Sequence, residues 1–486
     1  MTPTSIVLLI AGYFFALILI ARITGKHANN AGFFVGNRNS PWYIVAFGMI
    51  GASLSGVTFI SVPGWVGDSQ FSYMQMVLGY VPGYLVVAFV LLPLYYRLQL
   101  TSIYTYLRDR FGNYSYKTGA SYFLLSRIIG AAFRLYLVAM VLQLAVFDRI
   151  GMQVPFAVTV LITVLLIWLY TFKGGIKTII WTDTLQTAFM LLAVGISVYS
   201  ISNSLGLDAK GLVERIDQSK YSKIFFFDDF NDPRYFFKRF LAGMFITITM
   251  TGLDQDMMQK NLSCRNLRDA QKNMVSFSLV LVVVNLVFLS LGALLFIFSQ
   301  ENGMAIPEQT DQLYPMLAVE GYLGAAVGIF FVLGLIAAAY SSADSALTAL
   351  TTSYSIDILE VDKLDEKTAE RKRQRVHIAM SVVLIIVILV FRVINNDSVI
   401  AQLFTAAGYT YGPLLGLYAF GLFTKKPVVD KAVPYIAVAA PILSFVLDTF
   451  SVELFSGYVF GFEILLVNGA LTYFGLWLSY FFLKRE

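Results

Sequence analysis

The chain has 486 residues, of which 58% are hydrophobic and only 13% are charged, and its formal net charge is +5. This composition is typical of a protein whose solvent is mostly the lipid bilayer, and it argues against a soluble domain. The basic residues are distributed in loops between apolar segments and form no stripe, which argues against nucleic-acid binding. The single Cys264 excludes an intrachain disulfide and a cysteine-based metal cluster.

Apolar segments of about 20 residues recur along the chain, and roughly thirteen of them predict an all-α polytopic membrane protein. A leading helix is predicted at residues 3–23, and trailing helices are predicted within residues 431–484. Every second loop along the chain is rich in basic residues. These residues include Arg22, Lys26, Arg38, Arg108, Lys117, Lys173, Arg265, Lys426, Lys484 and Arg485. The positive-inside rule therefore predicts a cell-membrane protein with its N-terminus outside and its C-terminus in the cytoplasm.

Two predicted spans contain too many helix-weakening residues for an undisturbed helix. The first, from Pro41 to about Trp65, contains four glycines and Pro63, and the second, at about 236–258, contains Thr247, Thr249, Thr251, Gly252 and then Asp254. If the leading helix lies outside the repeat, these two spans are the first helices of two groups of five spans, at residues 41–203 and 236–423. Groups of odd number insert with opposite orientation, which predicts an inverted repeat with solute and ions beside the two breaks. The alternative is that Gly and Pro are simply commoner in membrane helices.

A stripe of small and hydroxylated residues marks the apolar run from Gly334 to Thr348. On a helix, Ala338, Ser341, Ser342, Ser345 and Thr348 fall at steps of three and four, so they share one face, with Asp344 at its edge. Such a face allows close helix packing. It also suits a cation site, and the carboxylate favours that interpretation because ionisable residues in membrane spans are usually functional.

Two further ionisable residues lie in predicted spans. Asp183 lies near the inner end of the span at about 178–203, where it is either an interfacial carboxylate or a partner of Asp344 in holding a cation. Coupling to sodium and coupling to protons are both compatible with such a pair. Arg134 lies well inside the span at about 118–147 and stays charged, so it needs either an internal ion pair or the carboxylate of a solute. Arg127 is expected to reach the membrane interface more easily.

Taken together, these motifs resemble the sodium/solute symporter family, which includes sodium-coupled sugar, proline, iodide and sialic acid cotransporters. The most specific pieces are Gly174-Gly175 followed by Thr182-Asp183-Thr184-Leu185-Gln186-Thr187, the Ala338-x-x-Ser341-Ser342 helix, and Asp254-Gln255 followed by Gln259-Lys260. The resemblance covers nearly the whole chain. It implies a LeuT-like fold, with a five-plus-five inverted repeat, a leading helix and trailing helices.

The resemblance also implies sodium sites, with sodium as the coupling ion and no organic cofactor. By position, the first site would use the backbone carbonyls of Gly51, Leu54 and Ala338 and the hydroxyls of Ser341 and Ser342. A second sodium, which some members bind, would use Asp183, Ser342, Asp344 and Ser345. Asp344 departs from the family pattern, because a hydroxyl residue is more usual there.

For the solute, the hydroxyl spacing of Ser53, Ser55 and Thr58 looks like that of sialic acid symporters, and Arg134 and Thr247 complete the implied site. Val57 and Met250 depart from the sugar transporters. The expected function is sodium-coupled symport of a small polar solute by alternating access, with a carboxylated sugar such as sialic acid as the candidate. A neutral sugar or polyol and proton coupling remain alternatives, and a non-transporting membrane sensor is a different class. An enzyme is not expected, since no nucleophile and base pairing emerges.

Overall fold

The computed structural model describes residues 3–25, 30–143, 147–148, 153–172, 175–394, 399–455 and 457–483. Within these ranges the regular secondary structure is helical. The β-type pairing found there is an isolated bridge between Ser40 and Cys264. The predicted all-α architecture is therefore confirmed. Gly174 of the glycine pair and the basic residues Lys26, Lys173, Lys484 and Arg485 lie outside the described residues.

The first half of the chain forms helices α1 to α11. They are α1 (Pro3–Thr24), α2 (Asn30–Val35), α3 (Trp42–Ser53), α4 (Gly56–Ser69), α5 (Tyr73–Val86), α6 (Leu92–Arg97), α7 (Thr105–Arg110), α8 (Asn113–Leu142), α9 (Phe156–Thr171), α10 (Ile176–Ser204) and α11 (Ala209–Asp217). A π-helical turn at Val87–Leu91 joins α5 to α6.

The second half forms helices α12 to α21. They are α12 (Phe236–Thr247), α13 (Gln255–Leu262), α14 (Leu267–Glu301), α15 (Leu313–Val319), α16 (Ala325–Ser353), α17 (Glu366–Ile394), α18 (Val399–Phe423), α19 (Val433–Thr449), α20 (Ser451–Leu454) and α21 (Ile464–Leu483). By length and apolarity, eight described helical segments can cross a membrane, or nine if one bent pair counts as a span. The number of thirteen spans and the repeat boundaries 41–203 and 236–423 stay predictions.

The first predicted interruption lies between α3 and α4. Leu54 and Ser55 leave the helical conformation, with ψ angles of 77° and 171°. A Cβ atom added to Gly56 would lie 3.2 Å from the Cβ of Ala339, so the backbone passes close to α16 immediately after the break. Glycine is suited to such a close approach because it has no side chain.

The second predicted interruption lies between α12 and α13. Helix α12 continues through a π-helical turn at Ile248–Gly252, and the pair then bends by 64°. Asp254 caps α13, because its carboxylate accepts hydrogen bonds from the backbone N–H groups of Asp256 (2.9 Å) and Met257 (3.3 Å). The new helix continues to Leu262, beyond the predicted limit near 258.

Loops predicted to lie inside meet one another at one end of the helix bundle. Arg38 donates a hydrogen bond of 2.9 Å to the carbonyl of Leu100, and Lys117 pairs with Glu360 at 3.2 Å. Arg110 likewise donates to carbonyls after α18, including that of Thr424. These contacts support the predicted grouping of the basic loops.

Loops predicted to lie outside meet at the opposite end. Gln70 donates a hydrogen bond of 2.7 Å to the carbonyl of Lys220, and Ser61 donates one of 2.9 Å to the carboxylate of Asp311. Burial raises the pKa of Asp311 above its usual value, and the hydrogen bond from Ser61 opposes this shift. Which end faces the cytoplasm stays a prediction from charge.

Helices α5 and α12 approach so closely that glycine is required on both. An added Cβ at Gly79 would lie 2.1 Å from the carbonyl oxygen of Phe240, and one at Gly243 would lie 2.1 Å from that of Met76. Small residues allow membrane helices to pack with their backbones in contact. The contact holds the second broken helix, to which α12 belongs, against α5.

A Gly243→Ala substitution tests this packing. It should lower the free energy of unfolding by about 1–3 kcal/mol, because the added methyl group meets backbone that cannot move aside. The melting temperature of the detergent-solubilised protein would measure the loss. Gly195→Ala in α10 is the matched control, since nothing lies within 4 Å of the added Cβ. Equal melting temperatures for the two variants would contradict the proposed contact.

Candidate functional site

Ser342, which is predicted for the first sodium site, lies where the α3–α4 break meets α16. The hydroxyl of Ser342 lies 3.5 Å from the carbonyl oxygen of Ala52 and 3.3 Å from that of Ala338. Gly51 is held from the other side, because its N–H donates to the hydroxyl of Thr187 at 3.0 Å. The break and the hydroxyl face of α16 are therefore neighbours, as the sequence suggested.

The end of α3 leaves carbonyl oxygens available at this junction. The last four carbonyls of a helix have no partner within the helix, and in α3 these lie around Gly51 and Leu54. Ser341 and Ser342 are both buried in α16. Neutral carbonyl and hydroxyl oxygens of this kind suit a hard monovalent cation that must also be released.

The residues predicted for the second sodium site have protein partners in this structure. The ammonium of Lys260 lies 2.7 Å from a carboxylate oxygen of Asp183, and both side chains are about 1% exposed. The other carboxylate oxygen of Asp183 accepts a hydrogen bond of 2.6 Å from Ser341. The hydroxyl beside Asp183 is thus that of Ser341, whereas the prediction named Ser342.

Asp344 is engaged separately from Asp183. One of its carboxylate oxygens accepts a hydrogen bond of 2.8 Å from the hydroxyl of Tyr170, and the other accepts one of 2.5 Å from the backbone N–H of Ser345. The hydroxyl of Ser345 has no hydrogen-bond partner among the described residues. In this structure Asp183 is paired with Lys260, and the sharing of one ion by the two aspartates stays a prediction.

All residues predicted for the solute line one central cavity, which encloses about 790 Å³ of non-atom space, including space open to solvent. Ser53, Ser55 and Thr58 come from the first broken helix, Thr247 from the second and Arg134 from α8. A cavity of this size, with apolar walls and a few polar groups, is typical of small-molecule sites. Leu54, a predicted sodium ligand, lines the same cavity.

The two arginines of α8 have different surroundings. Arg127 is 5% exposed and forms ion pairs with Asp256 and, at 3.7 Å, with Asp254, so the expectation that it reaches the membrane interface is wrong. The carboxylate of Asp254 also accepts a hydrogen bond from Tyr411. Arg134, by contrast, is buried and forms no ion pair with a described residue. The positive charge of Arg134 is therefore available to pair with an anionic group inside the cavity.

Sequence reasoning missed several residues of the cavity wall, including Tyr73, Tyr80, Tyr84 and Asn285. Asn285 lies in α14 and is buried, with its amide nitrogen donating to the carbonyl of Leu281 at 2.8 Å. Its side-chain oxygen has no partner among the described residues, so it can accept a hydrogen bond from a solute. A single Asn in a long apolar run was the available signal, since such residues are rare within membrane spans.

Comparison with known proteins identifies the family. The model of the sodium:solute symporter family matches residues 33–432, which is most of the chain. The chain belongs to the sodium:solute symporter family. It is accordingly a sodium-coupled solute transporter of the cell membrane and not an enzyme, and the family assignment made from its motifs is confirmed.

Two similar proteins are sodium/sialic acid symporters. The chain is 25% identical over 451 residues to NanT of Aliivibrio fischeri, covering 89% of this chain and 85% of that protein. It is 24% identical over 448 residues to SiaT of Proteus mirabilis, covering 88% and 86%. A solved structure of a sodium-coupled sialic acid symporter in a substrate-bound outward-open state matches with a TM-score of 0.81 at 19% identity, covering 98% of both chains. This match confirms the LeuT-like fold.

A Ser342→Ala variant tests the first sodium site. Its sodium-dependent uptake should be largely lost, because the variant removes one of the predicted oxygen ligands where the break meets α16. Ser444→Ala is the matched control, since Ser444 is a buried serine of α19 that, like Ser342, donates to the carbonyl four residues earlier. Uptake measured against sodium concentration in proteoliposomes distinguishes the two. An unchanged sodium dependence for Ser342→Ala would rule the assignment out.

Removal of the Lys260 ammonium tests the internal ion pair. A Lys260→Met variant should lose about 3–5 kcal/mol of stability, because the carboxylate of Asp183 is left buried without a cation. Lys260→Arg keeps the charge and should stay close to the parent. The double variant Lys260→Met/Asp183→Asn should recover most of the loss, and thermal unfolding in nanodiscs measures all three. A Lys260→Met variant as stable as the parent would show that the pair does not form.

Proposed function

We propose that this chain imports a small carboxylated solute of the sialic acid type together with sodium. The observation that carries this proposal is the charge of Arg134, which is buried at the central cavity without a carboxylate partner among the described residues. A solute carboxylate would supply two acceptors for the guanidinium in a bidentate geometry. The hydroxyls of Ser53, Ser55 and Thr58 and the free oxygen of Asn285 would then hydrogen-bond polar groups on the rest of the solute.

The similarity to the two sialic acid symporters supports this choice of solute. The nearby Arg127 strengthens the argument, because its charge is already compensated by Asp254 and Asp256. Two arginines of one helix therefore line the cavity, and the charge of Arg127 is paired within the protein whereas that of Arg134 is not. A neutral sugar or polyol would leave Arg134 without an anion, which is unfavourable in a buried site.

Sodium would bind at the junction of the α3–α4 break and α16, through Gly51, Leu54, Ala338, Ser341 and Ser342. Bound there, the ion would stabilise the contact between the two elements and so bias the equilibrium between the two faces of the transporter. One charge that crosses about 100 mV supplies about 2.3 kcal/mol for accumulation. The proposed orientation has the N-terminus outside and the C-terminus in the cytoplasm, so that import follows the sodium gradient.

At the predicted second sodium site, which consists of Asp183, Ser342, Asp344 and Ser345, the contacts support an arrangement without a second sodium. We propose that the Lys260 ammonium serves as the cation at Asp183 in this conformation, so that the first site carries the coupled sodium. The distance of 2.7 Å between Lys260 and Asp183 supports this arrangement. Proton coupling is the competing mechanism, and it predicts solute uptake in sodium-free medium under a pH gradient.

An Arg134→Gln variant tests the proposed solute. Uptake of N-acetylneuraminate at low concentration should fall by about tenfold or more, because a charge-assisted hydrogen bond contributes about 1.5–3 kcal/mol. Arg22→Gln, at the end of α1, is the matched control because Arg22 lies outside the cavity. Radiolabelled uptake into proteoliposomes under a sodium gradient is the measurement. An apparent affinity equal to that of the parent would remove Arg134 from the solute site.

A further inference from the structure

The leading helix α1 brings two aromatic side chains into the interior of the bundle. Tyr13 and Phe14 are both buried, at 4% and 5% exposure. The ring of Tyr13 lies edge to face with Phe189 of α10, with centroids 6.1 Å apart, and that of Phe14 lies edge to face with Tyr340 of α16 at 4.8 Å. Tyr340 directly precedes Ser341, a proposed sodium ligand. Helix α1 therefore packs against α10 and α16 at the level of the buried polar groups.

The hydroxyl of Tyr13 meets the side-chain amide of Gln186, which is also buried. The amide has one orientation that satisfies both of its ends. Its oxygen then accepts a hydrogen bond of 2.9 Å from Tyr13, while its nitrogen donates, at 3.2 Å each, to a carboxylate oxygen of Asp183 and to the carbonyl of Thr182. The opposite orientation would turn the amide oxygen toward two acceptors. Tyr13 therefore supplies the donor that completes the orientation in which Gln186 donates to Asp183.

The carboxylate of Asp183 is held through both of its oxygens. Oδ1 accepts the hydrogen bond from Gln186 and one of 2.6 Å from the hydroxyl of Ser341. Oδ2 pairs with the ammonium of Lys260 at 2.7 Å. Because Gln186 and Ser341 share one oxygen atom, the position of the acceptor that Ser341 uses depends on Gln186.

The hydroxyl proton of Ser341 points away from its own helix. Serines in helices often donate to the carbonyl four residues earlier, as Ser197 and Ser444 do here. Ser341 donates to Asp183 instead. A hydroxyl has one proton and two lone pairs, and a cation binds the lone pairs. Donation to a carboxylate therefore commits the proton of Ser341 and strengthens its oxygen as a ligand for a cation.

We propose that the leading helix helps to set the sodium affinity of this transporter, with Tyr13 as a positioning residue. Tyr13 holds the amide of Gln186, that amide holds Asp183, and Asp183 directs the lone pairs of the Ser341 hydroxyl toward the sodium. Partners that orient the ligands of a metal ion tune its affinity in this way. This role rests on the proposed function, because it takes the first site as the position of the coupled sodium. It adds a coupling role for a helix that lies outside the two predicted repeats.

A second polar contact between α1 and α10 offers a matched control. The hydroxyls of Thr24 and Thr178 lie 2.7 Å apart. This contact joins the same two helices as the Tyr13–Gln186 contact, but it does not involve the carboxylate of Asp183. A Thr24→Val variant therefore removes an α1–α10 hydrogen bond and leaves the network around Asp183 in place.

Sodium binding to the solute-free full chain in nanodiscs tests the role of Tyr13. Titration with sodium chloride at constant ionic strength gives the Kd, and melting temperatures check that each variant is folded. Tyr13→Phe keeps the ring and removes the hydroxyl, so it should raise the Kd for sodium by about two- to tenfold, the effect of one hydrogen bond. Thr24→Val should bind sodium as the parent does. A purely structural role of α1 would lower the melting temperature of both variants and leave the Kd unchanged.

A double-mutant cycle tests whether Tyr13 acts through Gln186. Gln186→Leu should also raise the Kd for sodium, and Tyr13→Phe/Gln186→Leu should raise it no further than Gln186→Leu alone, because the two residues act in series. A double variant whose shift equals the product of the two single shifts would overturn the proposed role, since Tyr13 would then act independently of Gln186.

Ser342→Ala, which tests the proposed sodium site, separates the possible failures. If Ser342→Ala weakens sodium binding while Tyr13→Phe binds like Thr24→Val, the sodium site stands and α1 has no part in it. If Tyr13→Phe and Gln186→Leu weaken sodium binding but Ser342→Ala does not, the network stands and the proposed position of the sodium is wrong. If none of these variants changes the Kd, both proposals fall.

Discussion

Backbone that is left unpaired inside a membrane must find a partner other than lipid, and the α3–α4 break is organised by this requirement. An unsatisfied carbonyl in hydrocarbon costs several kcal/mol, so a broken helix is tolerated only where protein or a polar cavity surrounds it. Here the hydroxyl of Ser342 and the close approach of Gly56 to Ala339 bring α16 against the break. The same exposed oxygens that require this cover are suited to hold sodium.

The break also explains how ion and solute can be coupled without a long pathway. Leu54 contributes a proposed sodium ligand through its backbone, and its neighbours Ser53 and Ser55 line the central cavity. An ion on one side of these residues and a solute on the other would order the same short stretch of chain. Because the coupling between two ligands is reciprocal, sodium would favour solute binding and solute would favour sodium binding.

The buried charges divide into those that the protein compensates and those that it leaves for a ligand. Lys260 pairs with Asp183, and Arg127 pairs with Asp254 and Asp256 next to the second break. Arg134 and Lys238 have no such partner among the described residues. A buried charge is costly unless it is paired, so the uncompensated cations indicate where an anion is expected. Arg134 lies beside the central cavity.

The sequence by itself determined the membrane environment, the helical class, both interruptions and the family, because hydropathy, glycine content and short motifs are local properties of the chain. It also identified Ser53, Ser55, Thr58, Arg134 and Thr247, which come together in one cavity. Tertiary structure alone decided the charge partners. Lys260 and Asp183 are 77 positions apart, and Arg127 and Asp254 are 127 apart, and no local periodicity links residues at such separations. The contact between Lys238 and the ring of Tyr458 was equally hidden, because the two residues meet only through the packing of α12 against α21 and the loop that precedes α21.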